Sequence, residues 1–249
     1  MMSNLSGKTA LVTGASKGIG RAIALALAAR GAHVLVHYRS GAKEAEAVVA
    51  QIREKGGRAD AVFADLLAAD GAHSLAAHVR RVIGDRLDIL VVNAGLYKAA
   101  SIEDTTVNDF DELFAVNVRA PFFLVQQLLP FMDEGSSIVL ISSLAAHAAF
   151  GTIAAYAASK GALDTLVRHF AFALGTRGIR VNAVAPGLVA KDSEDVLKAN
   201  QRRDRALSMQ ALKRLAQPDD ISGVVAFLAS EDARWITGDI VRVDGGSNV

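Results

Sequence analysis

The chain has 249 residues, 51% of them apolar and 21% charged, with 27 basic and 26 acidic side chains and no cysteine. That composition excludes a disordered chain, and the missing thiols exclude a disulfide scaffold, a zinc-thiolate centre, an iron–sulfur cluster and a cysteine nucleophile. A net charge of +1 offers no field to a polyanion, so no nucleic-acid partner is expected, and no metal site is expected either.

The opening Met1-Met2-Ser3-Asn4-Leu5-Ser6-Gly7-Lys8 has no basic flank before an apolar run, which argues against a signal peptide and for a cytoplasmic protein. Residues 10–12 form a first short apolar run, followed by a glycine-rich turn and a helical stretch over 19–30 that Gly31 closes. A strand at 34–36 leads to a helix over 42–55 closed by Gly56, and a weaker strand at 58–64 to a helix over 72–83 closed by Gly84. A strand at 89–92 precedes a long helix over 108–129, with Asn108 as its cap. Residues 135–159 lack Asp, Glu, Lys and Arg and could span a bilayer by length, but their serines, His147, Gly151 and Thr152 favour a buried strand at 138–141, a loop and a helix start, with no membrane contact. A helix over 154–175 and a strand over 181–185 follow. Segment 190–215, charged and placed after a strand, reads as an excursion that serves as a substrate lid. The last pair is a helix over 219–229, with Pro218 in its first turn, and a strand over 240–243.

The strands are apolar on both faces, as in a parallel sheet covered on both sides. Alternation with helices predicts an α/β fold: one doubly wound, Rossmann-type parallel sheet of about seven strands with helices on both faces, a single domain over 1–249.

Thr13-Gly14-Ala15-Ser16-Lys17-Gly18-Ile19-Gly20 joins the first strand to the first helix. There Gly14 permits the tight turn, Gly18 lets a pyrophosphate approach the backbone, and Gly20 lets the helix pack close to the sheet, with the helix N-terminus facing the anion. The second strand ends in His37-Tyr38-Arg39-Ser40, without the acid that binds the ribose hydroxyl of NAD. Arg39 and Lys17 are placed to meet a 2′-phosphate, which favours NADP (NADPH), with an adaptable site that also takes NAD as the alternative.

Tyr156 and Lys160 lie four residues apart in a predicted helix and so share one face. A nearby ammonium is expected to lower the tyrosine pKa and make the phenol a proton shuttle. Ser143, 13 residues earlier at the end of a strand, can hold a carbonyl or alcohol oxygen. Tyr-x-x-x-Lys alone is a common surface pair; its coincidence with the glycine turn gives it weight.

On Thr13-Gly14-x-x-x-Gly18-Ile19-Gly20, Asn93-Ala94-Gly95, Asn117, Ser143, Tyr156-x-x-x-Lys160 and Pro186-Gly187, the whole chain resembles the short-chain dehydrogenase/reductases, most of all bacterial 3-oxoacyl-carrier-protein reductases and glucose dehydrogenases. The resemblance implies that Asp65 and Leu66 flank an adenine and that Asn93, Ala94 and Gly95 form a turn under the cofactor. Pro186, Gly187 and Val189 would line the nicotinamide. Tyr156 would be the general acid/base, and Lys160 would also bind the nicotinamide ribose. Ser143 would orient the substrate, and Asn117 would bend its helix and hold a water near Lys160. Members commonly carry a threonine where this chain has Lys191.

The expected activity is hydride transfer between NADP(H) and a carbonyl or secondary alcohol. A 3-oxoacyl thioester is weighed evenly against sugars and other alcohols, with a catalytically silent dinucleotide sensor as the rival class. Leu96, Tyr97, His147, Phe150, Leu188 and the 190–215 segment are expected to form the pocket, Arg119, Arg168 and Arg177 a docking patch for a carrier, and the assembly, by family resemblance, a homotetramer.

Overall fold

The computed structural model describes residues 4–190, 203–204 and 207–247. Strands β1 (Thr9–Val12), β2 (His33–Tyr38), β3 (Arg58–Phe63), β4 (Ile89–Val92), β5 (Ser137–Ile141), β6 (Arg180–Pro186) and β7 (Ile240–Val243) form one sheet. Its order is β3-β2-β1-β4-β5-β6-β7 and every pairing is parallel. The chain runs outward from β1 to β3, then crosses back to place β4 on the other side of β1. That reversal opens a crevice at the carboxyl ends of β1 and β4, where open α/β sheets bind ligands.

Alternate residues of each strand feed two separate cores. Ala10 and Val12 of β1, Val34 and Val36 of β2, and Ile89 and Val91 of β4 face one layer. Leu11, Leu35, Leu90 and Val92 face the other. The first layer contains helices α1 (Gly18–Ala28) and α2 (Ala42–Glu54), which bury Ile23, Leu27, Val48 and Ile52. The second contains α3 (Gly71–Ile83), with Leu75 and Val79 inward. Both faces are thus covered, which is why the strands read as continuous apolar runs.

The helix expected over 108–129 is broken. The chain forms α4 (Val107–Phe114), a π turn over Ala115–Arg119 and α5 (Ala120–Leu128). Pro121 supplies the reason: it has no N–H to give to the Asn117 carbonyl four residues back, and its ring crowds that carbonyl. The bend foreseen at Asn117 therefore takes the form of a widened turn. The cap of α4 is Thr106, whose Oγ1 accepts from the Asp109 N–H at 3.1 Å, rather than Asn108, which lies within the first turn. α5 contributes Leu124 and Leu128 to the second core.

Residues 135–159 become β5, a 3₁₀ turn at Leu144–Ala146 and the start of α6 (Ala154–Leu174), as the polar side chains there imply. Val107–Phe131 has the length and mean hydropathy of a membrane span, but half of it is buried within the protein. The last helix, α7 (Pro218–Leu228), opens on Pro218 with a capping box in which the Gln217 N–H donates to Asp220 Oδ2 at 2.7 Å. Positions 191–202, including Lys191, and 205–206, together just over half of the expected lid, lie outside the described residues.

Gly20 is where helix and sheet meet most closely: a Cβ there would lie 2.2 Å from Gly14 O and 2.5 Å from Asn93 Nδ2. Gly223, in α7, would place a Cβ within 4 Å of nothing. Gly20→Ala is expected to cost about 1–3 kcal/mol or more in urea denaturation, whereas Gly223→Ala should be neutral or stabilising by about 0.5–1 kcal/mol.

Candidate active site

A cavity of about 500 Å³ opens at the carboxyl ends of the central strands. Ile19, Asn93 and Gly95 line it beside Pro186, Gly187 and Val189, and so do Ser143, Tyr156 and Lys160. Of the expected pocket residues, Leu96, Tyr97, Phe150 and Leu188 are present; Leu144, Met209 and Gln210 also line it.

One hydroxyl stitches the crevice. Thr13 Oγ1 accepts the N–H groups of Asn93 and Ala94, each at 2.9 Å. The Asn93 side chain returns the link, donating to Thr13 O at 2.8 Å and Gly14 O at 3.1 Å. Gly14 (φ +63) and Gly18 (φ +54) both occupy the left-handed region, and a Cβ on Gly18 would meet no protein atom within 4 Å. Lys17, the exposed N-cap of α1, makes no side-chain capping bond. The first N–H groups of α1, with Ser16 and Lys17 ahead of them, thus face open space, a cradle that fits a phosphate group.

At the outer end of this cradle Arg39 Nη1 lies 4.0 Å from Asp65 Oδ1, both side chains largely exposed. Asp65 Oδ1 also accepts the Leu67 N–H at 2.9 Å, and Leu66 is buried beneath. Arg39 and Asp65 therefore stand across the turn from Gly14, separate from the larger cavity.

On the reacting side, Ser143 Oγ accepts the Ala145 N–H at 3.1 Å, and its hydroxyl is close enough to the Tyr156 phenol to favour the phenolate. The Tyr97 ring meets Tyr156 edge-on at 5.0 Å. Lys160 is buried and donates to Ile141 O at 2.8 Å, with its Nζ 5.9 Å from the Tyr156 ring centre. This arrangement corrects one expectation: burial holds the Tyr156 phenol above its ordinary value, against the Ser143 hydrogen bond, and the lysine does not offset it. The ammonium is aimed at a carbonyl instead. Burial also pushes Lys160 itself down to about 8, against the field of Asp164.

Asn117 ties the reacting side together. Its Oδ1 accepts the Leu96 N–H at 2.8 Å, and its Nδ2 donates to Leu96 O at 2.9 Å and Ser159 Oγ at 3.0 Å. A Cβ on Gly95 would sit 3.3 Å from Asn117 Oδ1 and 3.5 Å from Lys160 Nζ, so this glycine allows both to approach the β4 turn.

A family profile described as enoyl-(acyl carrier protein) reductase matches residues 14–248. The chain belongs to the short-chain dehydrogenase/reductase family. It is 44% identical over 247 residues to an uncharacterized oxidoreductase of Methylorubrum extorquens, covering 98% of this chain and 99% of that protein. It is 40% identical over 255 residues to versicolorin reductase 1 of Aspergillus parasiticus, covering 98% and 97%. The crystal structure of landomycin C-6 ketoreductase LanV with bound NADP and rabelomycin is similar with a TM-score of 0.91 at 43% identity, over 98% of this chain and 97% of that one. A short-chain dehydrogenase from Burkholderia cenocepacia J2315 in complex with NADP gives 0.92 at 40% identity, over 99% and 100%.

Within this short-chain dehydrogenase/reductase, three polar residues have roles the sequence reading missed. Thr13 was legible only as part of the glycine motif. His37, read only as the absence of an acid, is 1% exposed beneath the glycine turn. Asp164, one turn beyond Lys160 on α6, is buried, and burial holds its carboxyl above the ordinary range. It draws His147 away from the pocket: His147 Nε2 lies 2.9 Å from Asp164 Oδ2, an ion-pair distance reached without an aligned hydrogen bond. The expected arginine patch is largely committed elsewhere. Arg119 donates to Leu67 O at 2.6 Å, and Arg177 to Leu129 O at 2.8 Å and Met132 O at 2.9 Å. Neither they nor Arg168 line the cavity.

Because burial lowers the Lys160 pKa, the folded protein binds fewer protons than the unfolded chain between about 8 and 10.5, and stability rises with pH through that window. Lys160→Met is expected to raise stability at neutral pH by about 1–3 kcal/mol, with the gain shrinking as pH climbs toward 10.5. Thermal melts of both proteins across that range measure it.

Proposed function

We propose that this protein is an NADPH-dependent ketoreductase acting on a ketone carried by a bulky, mostly apolar ring system. The observation that carries this reading is the meeting of Ser143 and Tyr156 with Lys160, the only charged side chain among the described residues that line the 500 Å³ cavity. The remaining walls, with Leu96, Tyr97, Leu144, Phe150, Leu188 and Met209, suit rings better than a sugar's hydroxyls. The rabelomycin-bound ketoreductase and versicolorin reductase among the relatives support the same substrate class. A carrier-bound acyl thioester finds less support, since Arg119 and Arg177 are held by main-chain carbonyls.

Gly14, Ser16, Lys17, Gly18, Ile19 and Gly20 would hold the pyrophosphate, Arg39 and Lys17 the 2′-phosphate, and Asp65 and Leu66 the adenine. Asn93, Ala94 and Gly95 would lie under the cofactor, Tyr156 and Lys160 at its ribose, and Pro186, Gly187 and Val189 at the nicotinamide. When bound, NADPH supplies the hydride that reaches the carbonyl carbon. Ser143 orients the carbonyl oxygen, and Tyr156 gives it a proton. A phenol whose pKa is held up by burial is protonated at neutral pH, which is the form that reduction needs. Alcohol oxidation needs the phenolate and gains with rising pH. Asn117 acts as a positioning residue and would hold a water near Lys160.

We also propose a homotetramer. The outer edge of β7 has no neighbour among the described strands. Trp235, just before β7, is 97% exposed, and Phe172 is 92% exposed beside Ala171, over which Gly238 packs. Phe110 and Val107 of α4 are exposed on another face.

Tyr156→Phe is expected to lower ketone-dependent NADPH oxidation by about 10²–10⁴-fold while NADP⁺ still binds. Retained turnover would reject the tyrosine as proton donor, and failure of every ring ketone beside an active acetoacetyl thioester or sugar would reject the substrate class. Light scattering should give the mass of four chains, with Trp235→Asp lowering the order of assembly.

A further inference from the structure

We propose that His37 is a positioning residue of the dinucleotide site, a neutral, tautomer-fixed imidazole that holds the phosphate turn after β1 and the adenine wall after β3 at a set separation. The Gly14 N–H donates to His37 Nδ1 at 3.0 Å. A backbone N–H can only donate, so Nδ1 carries no hydrogen. The neutral ring then bears its hydrogen on Nε2, which lies 3.2 Å from Ala64 O, a group that can only accept. Both contacts are satisfied by one tautomer and by no other protonation state. Imidazolium would set a donor against the Gly14 donor. Burial pushes the ring down to about 4, against the Ala64 carbonyl and the Asp65 charge, so the required form prevails at neutral pH. The charged neighbours at this end of the site are Asp65 and its partner Arg39.

Both anchored residues adjoin segments that would face the cofactor. Gly14 begins the turn over which the pyrophosphate is proposed to lie, and Ala64 directly precedes Asp65 and Leu66. The main chain of β2 reinforces the same bracket: the Ala15 N–H donates to His37 O at 2.8 Å and the Ala64 N–H to Tyr38 O at 3.2 Å. β1 and β3 do not touch in the sheet, as β2 lies between them, so the imidazole gives them a side-chain link across that gap.

The inference rests on the reading of the glycine turn as an NADP site, and calorimetric titration of NADP⁺ separates the two. His37→Asn puts an amide oxygen near the Nδ1 position, His37→Gln puts an amide nitrogen near the Nε2 position, and His37→Leu supplies neither. NADP⁺ affinity is expected to fall about tenfold or more in His37→Leu and by a smaller factor, about threefold, in His37→Asn and His37→Gln, which each keep one of the two links, with the Leu variant's loss falling more heavily on KM for NADPH than on kcat. In the cofactor-free protein, exchange of the Gly14 amide hydrogen should quicken in the Leu variant and not in the Asn variant. Parent-like affinity or unchanged exchange in the Leu variant overturns the inference and leaves the NADP site standing. Absence of NADP⁺ binding by the parent protein overturns both. If His37→Leu does not fold, the amide pair decides: affinity equal to the parent's in both His37→Asn and His37→Gln overturns the inference.

Discussion

The Thr13 hydroxyl stands between the ends of β1 and β4 with one hydrogen to give and two lone pairs to fill. It faces Val91 O at 3.4 Å and takes the N–H groups of Asn93 and Ala94. These strands part at this point in their onward connections, one toward β2 and the other toward β5, so no short loop holds their ends together. The Thr13–Asn93 exchange does so instead. It fixes the glycine turn relative to the β4 turn, and through Gly95 relative to Asn117 and Lys160.

Beyond that stitch the site is organised largely by side chains bound to backbone, with Asn117 also donating to the Ser159 hydroxyl. Asn117 takes both polar groups of Leu96, Lys160 takes Ile141 O, and His37 takes Gly14 and Ala64. Ile141 belongs to β5, so Lys160 is held by a partner that the sheet itself fixes. The cost lies in burial. An ammonium and a carboxyl, Lys160 and Asp164, are held a turn apart in the interior of α6 at the expense of stability, as expected where a site needs charge in a dry place.

The strands and the glycine turn were legible because their signals are local: β-branched runs apolar on both faces, and glycines where a left-handed or close backbone is required. Tyr156, Lys160 and Ser143 were legible as a pattern, and they do share one cavity wall. What escaped depended on partners distant in sequence. His37 is separated from Gly14 by 23 positions and from Ala64 by 27, and nothing about a histidine at a strand end announces either contact. His147 was assigned to the pocket because its neighbours are there, yet a buried carboxylate from another element claims it. The break at Asn117 did have a local sign, Pro121, which apolar periodicity across 108–129 concealed.

That break also gives the chain one residue to spare at a place far from any loop. α5 is keyed into the second core by Leu124, Val125 and Leu128, and the π turn sets their azimuth. Removing one residue from 115–119 would restore a regular spiral and leave the downstream azimuth nearly unchanged, because five residues of the wide turn sweep about the same angle as four of a regular helix, so Leu124, Val125 and Leu128 would stay on the sheet. A deletion that simplified the helix would therefore leave the second core intact, and its effect would fall on the placing of Asn117.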